Sequence, residues 1–128
     1  LLEIERTGAC AKAGAAGDRL TRGLQALIAR YRLPFVAYNQ GSICHLETAG
    51  TLFVKVNFSR PWTIPSALKE LQIRKHMMEE MGAAYLVEGI VTLAGSRMYT
   101  SMADTDAVID DALARFENVF RQMEGVAG

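Results

Sequence analysis

Few residues in this 128-residue chain have the types and spacing that chemistry needs. Cys44 and His45 are adjacent and supply a nucleophile and a base by type, but neighbouring strand side chains point to opposite faces, so they cannot share a proton. His76, Glu79 and Glu80 put an imidazole and carboxylates one helical turn apart, a usable metal pair. Two ligands do not close a site and no second pair accompanies them, so no metal centre and no catalytic residue is expected. Gly8, Gly14 and Gly17 are irregularly spaced in a helical context and match neither a dinucleotide fingerprint nor a Walker loop. Arg97 stands apart: within Leu93-Ala94-Gly95-Ser96-Arg97-Met98-Tyr99-Thr100-Ser101 it is the one charge in an apolar or small stretch. A guanidinium there needs an acidic partner, an anionic ligand or solvent.

The elements that must position these residues alternate in type. Leu20, Leu24, Leu27, Ile28 and Tyr31 recur at helical spacing, with arginines on the other side, until Pro34 stops the run. Leu1 to Arg6 is also helical in character but has no cap ahead of it, and reads as the tail of a helix cut mid-run. Phe35–Tyr38, Ile43–Leu46 and Thr51–Phe58 are strand-like, the first two joined by a turn in which Gly41 can take positive φ. Two prolines make Ser59–Pro65 an exposed crossover; within it Trp62 either faces a partner or tucks against the sheet. A helix is predicted over Ser66–Met81, with Pro65 at its start and Gly82 as the left-handed residue past its end. Met77, Met78 and Met81 on it fit core or interface filling better than a cofactor site. Short strands follow at 83–87, 90–93 and 98–101, then a helix whose apolar face is Ile109, Ala112, Leu113, Phe116, Phe120 and Met123, capped around Asp104, Thr105 and Asp106. This order predicts an α/β chain of the α+β sandwich type: a small, mostly antiparallel sheet with helices packed on one face.

Composition narrows the function classes. Fourteen basic residues balance fourteen acidic ones, which argues against a dedicated nucleic-acid binder. The balance hides an asymmetry, eight basic against four acidic residues in 1–64 and six against ten in 65–128, which is read as an intramolecular match or two solvated faces. Cys10 and Cys44 have no framework spacing, so both are expected to be thiols in a reducing cytoplasm. No signal sequence opens the chain and no apolar run nears the ~18 residues of a membrane span, which leaves the Asn57-Phe58-Ser59 sequon without a use.

Four stretches give the chain a resemblance. Gly17-Asp18-Arg19-Leu20 with Gly23-Leu24, then Leu33-Pro34-Phe35-Val36 with Gly41-Ser42, then Met77 to Leu86, then Ser101-Met102-Ala103-Asp104-Thr105-Asp106-Ala107-Val108-Ile109-Asp110 come in the order found in one family. In them the chain resembles the C-terminal small domain of class III pyridoxal-phosphate-dependent aminotransferases, the glutamate-1-semialdehyde aminomutase-like branch. The resemblance implies the small domain of a fold-type I enzyme, with 1–16 as the end of an interdomain helix and 17–128 as the C-terminal small domain. It implies a homodimeric, cytoplasmic parent enzyme that moves an amino group between small molecules using pyridoxal 5'-phosphate. The Schiff-base lysine and most cofactor contacts belong to the family's large domain; Lys12, Lys55, Lys69 and Lys75 sit in no such motif, so this chain alone is expected to be inactive. Its role would be to close the cleft, exclude water and position substrate. Two departures stand out: Gly95-Ser96-Arg97 replaces the aminomutase's acidic residue, and Asp104 replaces the family histidine. They favour an aminotransferase with another substrate, and make Arg97 a candidate substrate-binding residue, a fork for a carboxylate. The competing reading is an independent, non-catalytic α/β interaction or ligand-binding module.

Overall fold

A computed structural model of the chain describes residues 2–48 and 64–123, without the side chains of 64–68 and 70. The elements in order are α1 (Leu2–Thr7), α2 (Ala9–Arg30), β1 (Val36–Gln40), β2 (Ile43–Glu47), α3 (Ile64–Val87), β3 (Arg97–Tyr99) and α4 (Asp106–Met123). The strands form one antiparallel sheet in the order β1-β2-β3, and the helices make an α+β fold with it. The expected strand at 51–58, Trp62 and the sequon lie outside the described residues.

Alternation along the strands decides which face is covered. Ala37, Cys44, Leu46 and Met98 point inward and are buried against α2, while Val36, Tyr38, Ile43, Arg97 and Tyr99 point the other way and are exposed. Helix α4 packs on α2, and α3 on α4. Aromatic rings join the layers: Phe35 meets Phe120 edge-on at 5.6 Å between centroids, and Tyr85 meets Phe116 at 5.1 Å.

Helix α2 approaches the sheet at backbone distance. A Cβ added at Gly17 would run into the carbonyl oxygen of Gly41 and lie 3.3 Å from Cys44 Sγ. Glycine is what admits this contact, which accounts for its place in a helix it otherwise weakens. The β1–β2 connection is the two-residue turn Gly41-Ser42, with Gly41 at φ 58°, as its sequence implied.

The two long connecting helices end in the same way, α2 ahead of Pro34 as its sequence suggested and α3 beyond the Gly82 at which its sequence suggested an end. Helix α2 stops before Pro34, where Leu33 N–H donates to Ile28 O at 3.0 Å and Arg32 N–H to Ala29 O at 3.3 Å, with Arg32 at φ 51°. Helix α3 runs through Gly82 to Val87, and Ile90 N–H donates to Tyr85 O and Gly89 N–H to Leu86 O, each at 2.9 Å, with Gly89 at φ 82°. Both are Schellman closures. Residues 83–87 are therefore helix, not strand, and Gly82 serves a different purpose: an added Cβ there would sit 3.2 Å from Gly95 Cα. Residues 90–93 also form no strand. Only Leu93 bridges, to Arg97, because Ala94 at φ 52° and Gly95 at φ 72° fold the chain straight back into β3.

Part of the charge asymmetry is met within the molecule. Arg19 of α2 forks onto Asp110 of α4 at 2.7 and 2.9 Å, and Arg30 and Tyr31 both donate to Glu117, at 2.7 and 2.8 Å. At the start of α4, Asp104 accepts the Ser101 N–H at 2.6 Å and closes the turn ahead of the helix.

Two substitutions separate the roles of the α2 glycines. Gly17→Ala should cost ~1–3 kcal/mol of unfolding free energy through overpacking against backbone. Gly14→Ala, whose nearest neighbour would be Gly41 Cα at 3.9 Å, should gain up to ~1 kcal/mol of helix propensity, both read from urea unfolding. A third prediction concerns Tyr85, which is fully buried with a hydroxyl that has no partner among the described residues. Burial pushes its phenol above the usual tyrosine range. The unfolded chain then releases this proton before the folded one does, so stability falls as pH rises above ~10. Tyr85→Phe should raise stability by ~1 kcal/mol at neutral pH and flatten that alkaline decline.

Candidate functional site

The sheet face that no described element covers is where the sequence's chemistry-bearing residues meet. Register sets its rows: Tyr38 of β1, His45 of β2 and Arg97 of β3 stand side by side, and Leu93 continues the row through its bridge to Arg97. The next row is Gln40, Ile43 and Tyr99, and on the other side Val36 pairs with Glu47. Tyr38 is 44% exposed and Tyr99 58%, so the face offers aromatic and branched apolar surface around a central imidazole and a guanidinium. Cross-strand neighbours of this kind are close enough for their side chains to act together.

His45 is held on two sides. Its ring stacks on Tyr38 with centroids 4.8 Å apart and planes 3° from parallel, and its Nδ1 lies 3.9 Å from Glu47 Oε1. Cys44 points the opposite way, buried, with Sγ 3.6 Å from the Gly17 carbonyl oxygen it donates to; burial pushes its thiol up, away from the thiolate a nucleophile needs. The two adjacent residues thus occupy opposite faces. Arg97 is exposed, and no carboxylate among the described residues pairs with it. An exposed guanidinium fork beside an imidazole, on an apolar and aromatic floor, suits a planar anion such as a carboxylate.

The remaining candidates stay apart from this face. His76 Nε2 and Glu80 Oε1 form a solvated i,i+4 pair at 3.1 Å on α3, and among the described residues no three His, Cys, Asp or Glu side chains gather to hold a metal ion. Lys12 on α2 and Lys69 and Lys75 on α3 are exposed and none faces the open sheet; Lys55 lies outside the described residues. Cys10 is exposed and unpaired, and no helix of the described residues is long and apolar enough to cross a membrane.

Sequence reasoning reached Arg97 but not its row. The signal for Tyr38 and His45 was the period-2 alternation of Val36, Tyr38, Gln40 and of Ile43, His45, Glu47, which names a face without saying whether it is covered. Also unforeseen is a groove of about 490 Å³ between α3 and residues 90–95. No protein-family model and no curated protein matches the chain.

Because Arg97 has no acidic partner among the described residues, it contributes little to folding. Arg97→Ala should leave unfolding free energy within ~0.5 kcal/mol in urea.

Proposed function

We propose that this chain is the small domain of a class III pyridoxal-phosphate-dependent aminotransferase, cytoplasmic and homodimeric in its complete form. In that reading the open sheet face docks against the large domain and Arg97 holds the carboxylate of an amino-acid-like substrate. The observation that supports the reading is a sheet face that no described element covers. Tyr38, Ile43, Val36 and Tyr99 are left in water on one side of a sheet whose other side is closed, and such patches mark surfaces made for contact.

The chain's own contribution follows from that geometry. Docking of Tyr38, Ile43 and Tyr99 excludes water from the cleft, and in the drier surroundings the attraction between guanidinium and carboxylate strengthens. The fork of Arg97 fixes the plane of the substrate carboxylate, and the tight turn at Ala94-Gly95 fixes where the fork starts. The cofactor, and the amino transfer it supports, belong in this reading to the large domain. The four sequence stretches supply the family and the aminotransferase over the aminomutase: Gly95-Ser96-Arg97 carries a cation where the aminomutase has an acid, and Asp104 is occupied in closing its own turn.

The test uses the complete reading frame that carries this chain. The protein should show the visible absorbance of lysine-bound pyridoxal phosphate, lost on borohydride treatment. Arg97→Ala should raise KM for carboxylate substrates about tenfold or more, the loss of one charge-assisted contact of roughly 1.5–3 kcal/mol, with a smaller effect on kcat. Absence of the cofactor would leave the interaction module as the better reading; a cofactor with unchanged KM would remove Arg97 from the substrate site.

A further inference from the structure

We infer that His45 and Arg97 form one anion site, which takes a carboxylate carried on an apolar body and holds it more tightly once His45 is protonated. The carboxylate at Arg97 rests on the proposed function, whereas the part given to His45 needs no cofactor. Backbone pairing brings the two residues together. Leu46 N–H donates to Ser96 O at 2.8 Å and Thr100 N–H to Ser42 O at 2.9 Å, which makes His45 and Arg97 a non-hydrogen-bonded pair of β2 and β3. In such pairs the Cα atoms are about 4.5 Å apart and the side chains are at their closest. Both residues are reachable, since Arg97 is exposed and the His45 side chain keeps 21% of its surface. Leu93 and Tyr99, both exposed, stand on either side of Arg97 and give the apolar body of a ligand a surface to lie on.

The proton acts through both charge and hydrogen bonding. Around His45 the described residues place the phenol of Tyr38 from β1, the carboxylate of Glu47 from β2 and the guanidinium of Arg97 from β3, with the phenol of Tyr99 in the next row. While His45 is neutral, the charges of Glu47 and Arg97 cancel and an incoming anion gains little. One proton on the imidazole leaves the group net positive. Nδ1 faces Glu47 Oε1 at 3.9 Å, which assigns the neutral ring's proton to that nitrogen and leaves Nε2 as a lone pair without a partner among the described residues. That lone pair repels the oxygen of a carboxylate seated on the Arg97 fork. Protonation turns Nε2 into a donor, and guanidinium and imidazolium then hold the anion together. The stack on Tyr38 keeps the ring in place, so the change is one of charge and not of rotamer.

Calorimetric titration of the complete protein with benzoate, at about pH 5.5 and about pH 8, tests the site. Benzoate should bind about fivefold or more tightly at the acid pH, the effect of one added charge close to a solvated carboxylate. Acetate, which lacks the ring, should bind more weakly at both. His45→Gln should hold the weaker affinity at both pH values, and Arg97→Gln should lose tenfold or more at each. Glu47→Gln, which removes the opposing carboxylate while keeping His45, should bring the affinity at pH 8 up to about the wild type's at pH 5.5. A wild type that binds equally at both pH values or at neither, a pH dependence that survives in His45→Gln, acetate as tight as benzoate, or Glu47→Gln without effect would each overturn the inference. Absence of lysine-bound pyridoxal phosphate from the protein leaves these titrations unchanged, and a cofactor-bearing protein without the pH dependence overturns the role of His45 alone.

Discussion

Helix α2 rests on the hairpin at Gly17 with no side chain between the two backbones, and the rest of the molecule is arranged around that approach. Because the helix sits so low, Cys44 fits beneath it with its thiol against the Gly17 carbonyl, and Thr100, just past β3, donates to the Ala13 carbonyl at 2.7 Å. One helix thereby grips both strands beside the central turn. The same contact fixes which side of the sheet is spent on the core: Ala37, Leu46 and Met98 go under α2, and the pleat sends Tyr38, His45 and Arg97 to the other side. Had α2 needed an ordinary side-chain layer, a one-residue change of register would have been tolerable. At backbone distance it is not.

The second layer is oriented by charge more than held by it. Arg19 reaches Asp110 and lies 3.5 Å from Asp106, while Arg30 and Tyr31 share Glu117 two turns further along α4. These pairs are largely solvated, so each adds little to stability, but two of them at separate points along both helices fix the angle at which α4 lies on α2. That angle brings Phe116 against Tyr85 and Phe120 against Phe35, and the burial of those rings supplies the energy, about 1.5–3 kcal/mol for each large side chain. Two arginines of the basic first half thus meet acids of the second half across one helix pair.

Much of this was legible in the residues, and the misreadings share a cause. The apolar face of α4, its first-turn acid and the glycine turn between β1 and β2 each follow from a local rule with one physical meaning. Glycine inside a helix does not have one meaning. Gly82 and Gly89 look alike as helix stops, yet Gly82 serves close packing against Gly95 and only Gly89 adopts the left-handed conformation, so the helix continues over the five residues that otherwise suit a strand. At the end of α2 the left-handed position is filled by Arg32, a residue that no turn rule selects. Arg97 was legible for the opposite reason: a charge among small and apolar residues is conspicuous wherever it lands. Its neighbours Tyr38 and His45 were not, since a strand's alternation defines two faces and leaves the choice between core and open side to helices elsewhere in the chain.

The sheet face that no described element covers can be closed in only some ways. On the sheet, Arg97 and His45 stand amid the apolar residues, so whatever covers it must also satisfy a cation or leave it wet; burying it dry and unpaired would cost more than the surrounding rings return. A partner for that face therefore carries an anion or leaves a water-filled cleft at its centre, which is the form of a ligand site between two domains. A charge at the centre of an apolar face, unlike one at its rim, loses its water to whatever closes the face, and so it decides which partners the face can accept.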